Sequence, residues 1–296
     1  MIKLPILGPA LALALTSLVF SAVAAEPEIS TFCRYVPERA DDFAWENDRV
    51  AFRAYGPALR SQTENSGIDC WLKRVSYPII DRWYAQDAKG QSYHEDHGEG
   101  LDCYHVGSSA GVGGTGLWLK EKREPLETYV GHQIYETTRE RSRFKLTYER
   151  AIDGVIYKEE KTITLELGEQ LFRAHSVFFR DGRIAAGLPV CVGVTTHDGR
   201  ASSFFNRSQG WIACWEKFDD GELGTAVRMA PGNVREIRQI DAAQPDESHL
   251  LILAVTDERG AIDYEGGFAW TKAGALTCRS EWEAYLATHR RSSPSG

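Results

Sequence analysis

Positive charge is in deficit: 34 lysines and arginines stand against 42 aspartates and glutamates, for a formal net charge of −8, and the basic residues form no stripe. Neutralising phosphates needs a basic field, which argues against a nucleic-acid partner. Methionine is nearly missing. The chain has 2, against 8 Trp, 12 Tyr and 12 Phe, a mixture that suits β-structure and sugar-stacking surfaces better than a helical bundle. The six cysteines, Cys33, Cys70, Cys103, Cys191, Cys214 and Cys278, include no Cys-x-x-Cys pair, which removes the zinc signatures. With no internal repeat and no low-complexity linker, repeat arrays and tethered domains drop out as well.

Only one apolar run approaches spanning length. Residues 4–20 are almost unbroken apolar, preceded by Lys3 and followed by Ala22, Val23, Ala24 and Ala25 before Glu26. Basic, apolar and small residues in that order are expected of a secretory signal over residues 1–25; a membrane anchor would need a longer run and a stop-transfer cluster. Export would leave residues 26–296 without membrane attachment and bring the cysteines to an oxidising compartment, where up to three disulfides are permitted. The alternative for Cys191 and Cys214, inside apolar strands, is burial as small hydrophobes.

Strand-like alternation recurs through the chain, as in Val50, Phe52 and Ala54, in Phe144, Leu146 and Tyr148, and in Ile163, Leu165 and Leu167. Further runs are joined by turns such as Asp153-Gly154, Asp181-Gly182 and Asp198-Gly199. The pattern predicts an all-β fold, a large antiparallel β-sandwich in a single domain over residues 26–296. A short C-terminal helix is the one helix expected. Ser280 and Glu283 have capping-box spacing, Trp282, Tyr285 and Leu286 share a face, and His289, Arg290 and Arg291 close the end.

The densest chemistry lies in residues 92–107, which hold Tyr93, His94, Glu95, His97, Glu99, Asp102 and His105 among three glycines. So many polar groups read as a loop projecting side chains from a rigid scaffold. A divalent cation on His94, His97 and Asp102 stays open as a possibility, although the metalloprotease pattern fails because position 98 is Gly98. Two literal motif matches follow. Gly111-x-Gly113-x-x-Gly116 lacks the βαβ setting of a dinucleotide fingerprint, and Gly107-x-Ser109-x-Gly111 lacks the helix of a nucleophile elbow. Arg53 and Tyr55 share a strand face suited to a carboxylate and a sugar ring, or else to solvent. His197, before Asp198-Gly199, is expected to project from a strand end into a cleft.

A set of blocks then carries a resemblance. Asp41-Asp42-Phe43-Ala44-Trp45-Glu46-Asn47-Asp48, Ala51 to Pro57, Gly67-Ile68-Asp69, Trp71, Lys73-Arg74, Tyr77-Pro78-Ile79, Tyr93-His94-Glu95, Gly100, Asp102, Val106-Gly107, His197-Asp198-Gly199 and Trp211 together resemble domain-of-unknown-function family 4861. The resemblance covers nearly all of residues 26–296. It implies an exported bacterial protein associated with breakdown of acidic plant or algal polysaccharides, and a β-supersandwich like that of galactose mutarotases and several polysaccharide lyases. It implies no established reaction.

From these readings a periplasmic or secreted carbohydrate-active enzyme is expected, with an acidic oligosaccharide as its partner and no cofactor beyond the open cation. The leading reaction is β-elimination on uronides, which needs a neutralised carboxylate, a base for the α-proton and an acid for the leaving oxygen. Arg53 would neutralise the carboxylate, His94 or His197 would be the base and Tyr93 the acid. Tyr55, Trp71, Lys73, Asp102 and Trp118 would bind the substrate. A mutarotase or epimerase using His94, His197 and Glu95 is the alternative. A non-catalytic sugar-binding protein comes next, and a serine esterase through Ser109 last.

Overall fold

The computed structural model describes residues 28–218 and 221–289, so the segment read as an export signal lies outside the described residues. Three sheets form from antiparallel pairings. The first takes β1 (Phe32–Val36), β2 (Asp42–Glu46), β3 (Ala51–Ala54), β4 (Asp69–Lys73) and β5 (Gly100–Leu101) in chain order. The second runs β7 (Lys122–Glu124), β6 (Val112–Leu119), β13 (Pro189–Thr195), β18 (His249–Val255) and β17 (Glu236–Ile240). The third and largest runs β8 (Tyr129–Thr137), β9 (Arg141–Ile152), β10 (Val155–Glu166), β11 (Leu171–Arg180), β19 (Ala261–Trp270), β16 (Gly221–Met229), β15 (Trp211–Phe218) and β14 (Ser202–Asn206), with β12 (Arg183–Ile184) hanging on β11.

A parallel bridge between Ile68, just before β4, and Gly111, just before β6, links the first two sheets, and both pack against the third. The period of two along each strand explains the packing. On the first sheet Phe43, Trp45, Phe52, Cys70 and Leu72 point inward and meet Phe144, Phe172 and Phe268 of the third in one core. Rings make much of that contact: Trp45 lies 5.2 Å from Phe144, and Phe52 meets Phe172 edge-on at 5.1 Å. The all-β antiparallel sandwich expected from the sequence is the fold observed.

The expected C-terminal helix is α2 (Arg279–Thr288), whose Trp282 and Leu286 bury against Trp211, Ala213 and Trp215 on the outer face of the third sheet. Its start differs from the Ser280–Glu283 expectation. Cys278 is the N-cap, and Glu281 reaches back to accept from the Thr277 N–H (2.6 Å) and hydroxyl (3.0 Å), while Glu283 pairs with Arg279. A second helix, α1 (Ile80–Asp87), was not expected. It lies across the outer face of the first sheet and buries Ile80, Trp83 and Tyr84 against Val36, Ala44, Ala51 and Trp71.

No disulfide joins the described cysteines. Cys33, Cys70, Cys191 and Cys214 are buried in strands as thiols, where Cys33 shares a hydrogen bond with Thr137 and Cys191 donates to the Gly116 carbonyl. The disulfide expectation rested on an even count. Their side chains instead follow strand alternation, which gives burial and not pairing.

Candidate functional site

The outer face of the first sheet is unusual for a surface so fully covered. Opposite the inward Phe and Trp residues it presents Asp42, Glu46, Arg53, Asp69, Trp71 and Lys73, all under α1 and the 92–102 loop. Two ion-pair centres make this layer tolerable. In the first, Lys73 Nζ donates to Glu46 Oε2 (2.7 Å) and to the Asn47 and Tyr77 carbonyls (both 2.8 Å). Glu46 in turn accepts the Ile79 and Ile80 N–H groups at 2.8–2.9 Å, so a strand carboxylate caps α1.

The second centre surrounds Arg53. Its Nη2 donates to Asp69 Oδ2 (2.6 Å) and Asp102 Oδ2 (3.0 Å), Asp42 lies 3.9 Å from Nε, and the guanidinium sits 5.3 Å from the Trp71 ring centroid. Burial pushes all three carboxyls upward, Asp42 to about 6. Arg53, Tyr55, Trp71, Lys73 and Asp102 therefore lie inside the protein, each less than 5% exposed, and form the foundation under the loop rather than a surface that sugar can touch. β3 ends at Ala54, so Tyr55 falls beyond the strand and packs into the inner core, while Arg53 is covered on the outer face. Trp118 belongs elsewhere, on the outer face of the second sheet with Cys191, Leu251 and Leu253, beneath the Arg238 guanidinium.

The loop is tied to this foundation at both ends. Gly100 and Leu101 pair with Lys73 and Leu72 as β5, and the Asp102 N–H donates to the Tyr93 carbonyl (2.8 Å). Gly100 has φ +122°, and a Cβ there would meet the Leu72 carbonyl oxygen at 1.9 Å, so only glycine lets the loop return this close to β4. Tyr93 stacks on Trp71 at 5.0 Å and is itself buried, with its hydroxyl accepting from Arg39 Nε (3.1 Å).

His94 stands beside it, ring centroids 4.5 Å apart, and its side chain is 57% exposed. Nδ1 lies 2.8 Å from the Asp102 carbonyl. A carbonyl can only accept, so Nδ1 carries the proton and the neutral ring keeps its lone pair on Nε2. Next to the loop a cleft of about 210 Å³ is walled by Trp83, Gln86, Gln91, Tyr93, Glu95 and His97, with Glu99 and Gly100 at its floor. Glu99 is already engaged by the Tyr77 hydroxyl (2.6 Å), Arg82 (2.9 Å) and Trp83 Nε1 (3.0 Å). Glu95 has no side-chain partner among the described residues.

His197 does not join this group. It is 2% exposed, with Nδ1 2.5 Å from Glu216 Oε1, Nε2 2.9 Å from the His105 carbonyl, and its ring edge-on to Tyr104. The Asp198-Gly199 turn was expected to project it. A left-handed backbone at His197 (φ +45°), with its N–H bonded to Thr195, accompanies a ring that packs into the sandwich end instead. The open cation site is not assembled either: His94 turns to the Asp102 carbonyl, His97 to the Ser92 carbonyl, and Asp102 to Arg53. Among the described residues no three His, Cys, Asp or Glu side chains converge as metal ligands do. Ser109 is fully buried and accepts the Gly111 N–H, while 112–119 form strand β6, so neither glycine motif has its loop.

Four contributors escaped the sequence reading: Arg39, Glu46, Asp69 and Glu216. Each acts on a partner distant in sequence, and only the two blocks carrying Glu46 and Asp69 hinted at any of them.

An antiparallel two-layer sandwich carrying a histidine–tyrosine pair beside a small acid-walled cleft is the class that fold and site define. The chain belongs to the family described as Domain of unknown function (DUF4861), whose model matches residues 19–294. It is also similar to a protein of Formosa agariphila named Uncharacterized protein P7, with 36% identity over 279 residues, covering 90% of this chain and 69% of that protein.

Proposed function

We propose that this protein is an exported, periplasmic or secreted, carbohydrate-active enzyme that cleaves uronide oligosaccharides by β-elimination, with His94 as base and Tyr93 as acid. The observation that carries the reading is the His94–Tyr93 pair: adjacent rings, an outward lone pair on Nε2 fixed by the Asp102 carbonyl, and a phenol whose oxygen already accepts from Arg39 and so keeps its own proton to give. Nε2 takes the proton on the carbon α to the carboxylate. The electrons of that C–H bond form the C=C bond as the β C–O bond breaks, and the leaving oxygen takes the Tyr93 proton. Solvent then returns a proton from the imidazolium to the phenolate. The apolar segment 4–20 supports export.

His94→Ala is expected to lower the rate of unsaturated-product formation, followed by ultraviolet absorbance on polyuronate oligosaccharides, about 10²–10⁴-fold. An unchanged rate would remove the assignment. One observation favours a second reading, non-catalytic sugar binding: Tyr93 is buried with its hydroxyl held by Arg39, while the cleft beside it is lined by Gln86, Gln91, Glu95 and His97, groups that can hold sugar hydroxyls without reacting. In that case calorimetry shows oligouronide binding while prolonged incubation leaves the ligand's mass spectrum unaltered.

A further inference from the structure

An acidic chain that binds an acidic sugar must supply positive charge locally, and the buried Arg53 and Lys73 cannot do so. The arginines around the site divide clearly. Arg34 is held by Glu38 and Asp81 (both 2.5 Å), Arg53 by Asp69 and Asp102, Arg74 by Asp96 (2.8 Å) and Arg82 by Glu99 (2.9 Å). Each already has its carboxylate. Arg39, in the turn between β1 and β2, forms no ion pair among the described residues. It is half-buried, and its one side-chain hydrogen bond there runs from Nε to the Tyr93 hydroxyl, leaving both Nη groups uncommitted. The cleft itself offers an anion no free cation: its lining includes Glu95 and Glu99 and no lysine or arginine, and the nearby Arg82 is spent on Glu99.

We infer that Arg39 is the carboxylate-binding residue of this site: its two Nη groups receive the carboxylate of a uronic-acid unit while its Nε holds the Tyr93 hydroxyl against the same sugar. The inference rests on the uronide reading above and names the residue that recognises the acid. Two features suit Arg39 to this role. A guanidinium offers parallel N–H groups that match a carboxylate's two oxygens, and its attachment to Tyr93 sets the distance between bound acid and proton donor. The uncharged hydroxyl-bearing part of the substrate is left for the acid- and amide-lined cleft, whose Glu95, Gln86 and Gln91 suit hydroxyl groups.

The experiment compares an oligouronide with its methyl ester, in which the negative charge is gone, on wild type, Arg39→Gln and Arg39→Lys. Both binding by calorimetry and turnover are recorded, and far-ultraviolet circular dichroism checks the fold. The acid-over-ester preference is a ratio within each protein, so partial loss of folded material cancels. Arg39→Gln is expected to weaken acid binding about 10–100-fold more than ester binding, collapsing the preference even where turnover of both falls through the loss of its hold on Tyr93, with partial recovery in Arg39→Lys. If wild type handles the acid and Arg39→Gln keeps the full preference, Arg39 is not the carboxylate site although the uronide reading stands. If wild type neither binds nor cleaves any polyuronate, that reading fails and this inference with it.

Discussion

His197 Nδ1 and Glu216 Oε1 lie 2.5 Å apart in a closed corner of the sandwich, and the opposite ring nitrogen faces the His105 carbonyl. Because that carbonyl only accepts, Nε2 donates to it, and the short contact with Glu216 holds one further proton. His94 and His197 thus each grip a carbonyl of the same segment, Asp102 and His105, one from the surface and one from below.

Their substitutions should separate cleanly. Glu216→Ala leaves a buried ring without its partner and is expected to lower unfolding free energy by about 3 kcal/mol in urea titration. His94→Ala, on an exposed ring, should change it by no more than about 0.5 kcal/mol while lowering turnover about 10²–10⁴-fold. A His94 variant as destabilised as the Glu216 variant would show that His94 is a structural residue.

Asp42 gives a pH signature. Burial holds its carboxyl at about 6 in the folded chain against an ordinary 3.8, and Asp69 and Asp102 are displaced in the same direction. Between those two pH values the folded state keeps a proton that the unfolded chain has lost, so stability falls as pH rises through the window and stays lower above it. For Asp42 alone the full change is about 3 kcal/mol, at 1.36 kcal/mol per pH unit. Asp42→Asn removes this titration. The stability difference between wild type and Asp42→Asn should therefore shift against wild type between roughly pH 4 and pH 7, and a difference that is flat over that range would contradict the buried-acid assignment.

The division between what could and could not be read from sequence follows distance along the chain. Alternation exposed the core face directly, because Phe43 and Trp45, or Phe144 and Leu146, repeat at the strand's own period. The loop at 92–107 was visible because His94 and Asp102 sit eight residues apart within it. Arg53 was misplaced because the groups that bury it, Asp69 and Asp102, lie 16 and 49 residues away. Helix α1 was missed for a related reason: its cap is Glu46, 33 residues before Ile79, and although Ile80, Trp83 and Tyr84 share one face, eight residues give that pattern only a single repeat. A sheet with both faces covered hides charge in pairs that no local window contains.

Gly100 offers the sharpest test of whether the loop's attachment to β4 sets the site. Gly98 and Gly100 both have positive φ, +102° and +122°, so alanine meets a similar backbone penalty at either, about 1 kcal/mol. They differ in surroundings: a Cβ at Gly98 has nothing within 4 Å, whereas at Gly100 it would meet the Leu72 carbonyl. Gly100→Ala must push β5 off β4 and is expected to cost about 2–4 kcal/mol, with Gly98→Ala near the backbone penalty alone. The displacement also reaches Asp102, whose N–H and carbonyl hold Tyr93 and His94. Turnover on oligouronides should consequently fall in Gly100→Ala well below that of Gly98→Ala, measured at a temperature where both remain folded. Equal activities would mean that the attachment at Gly100 does not set the geometry of the His94–Tyr93 pair.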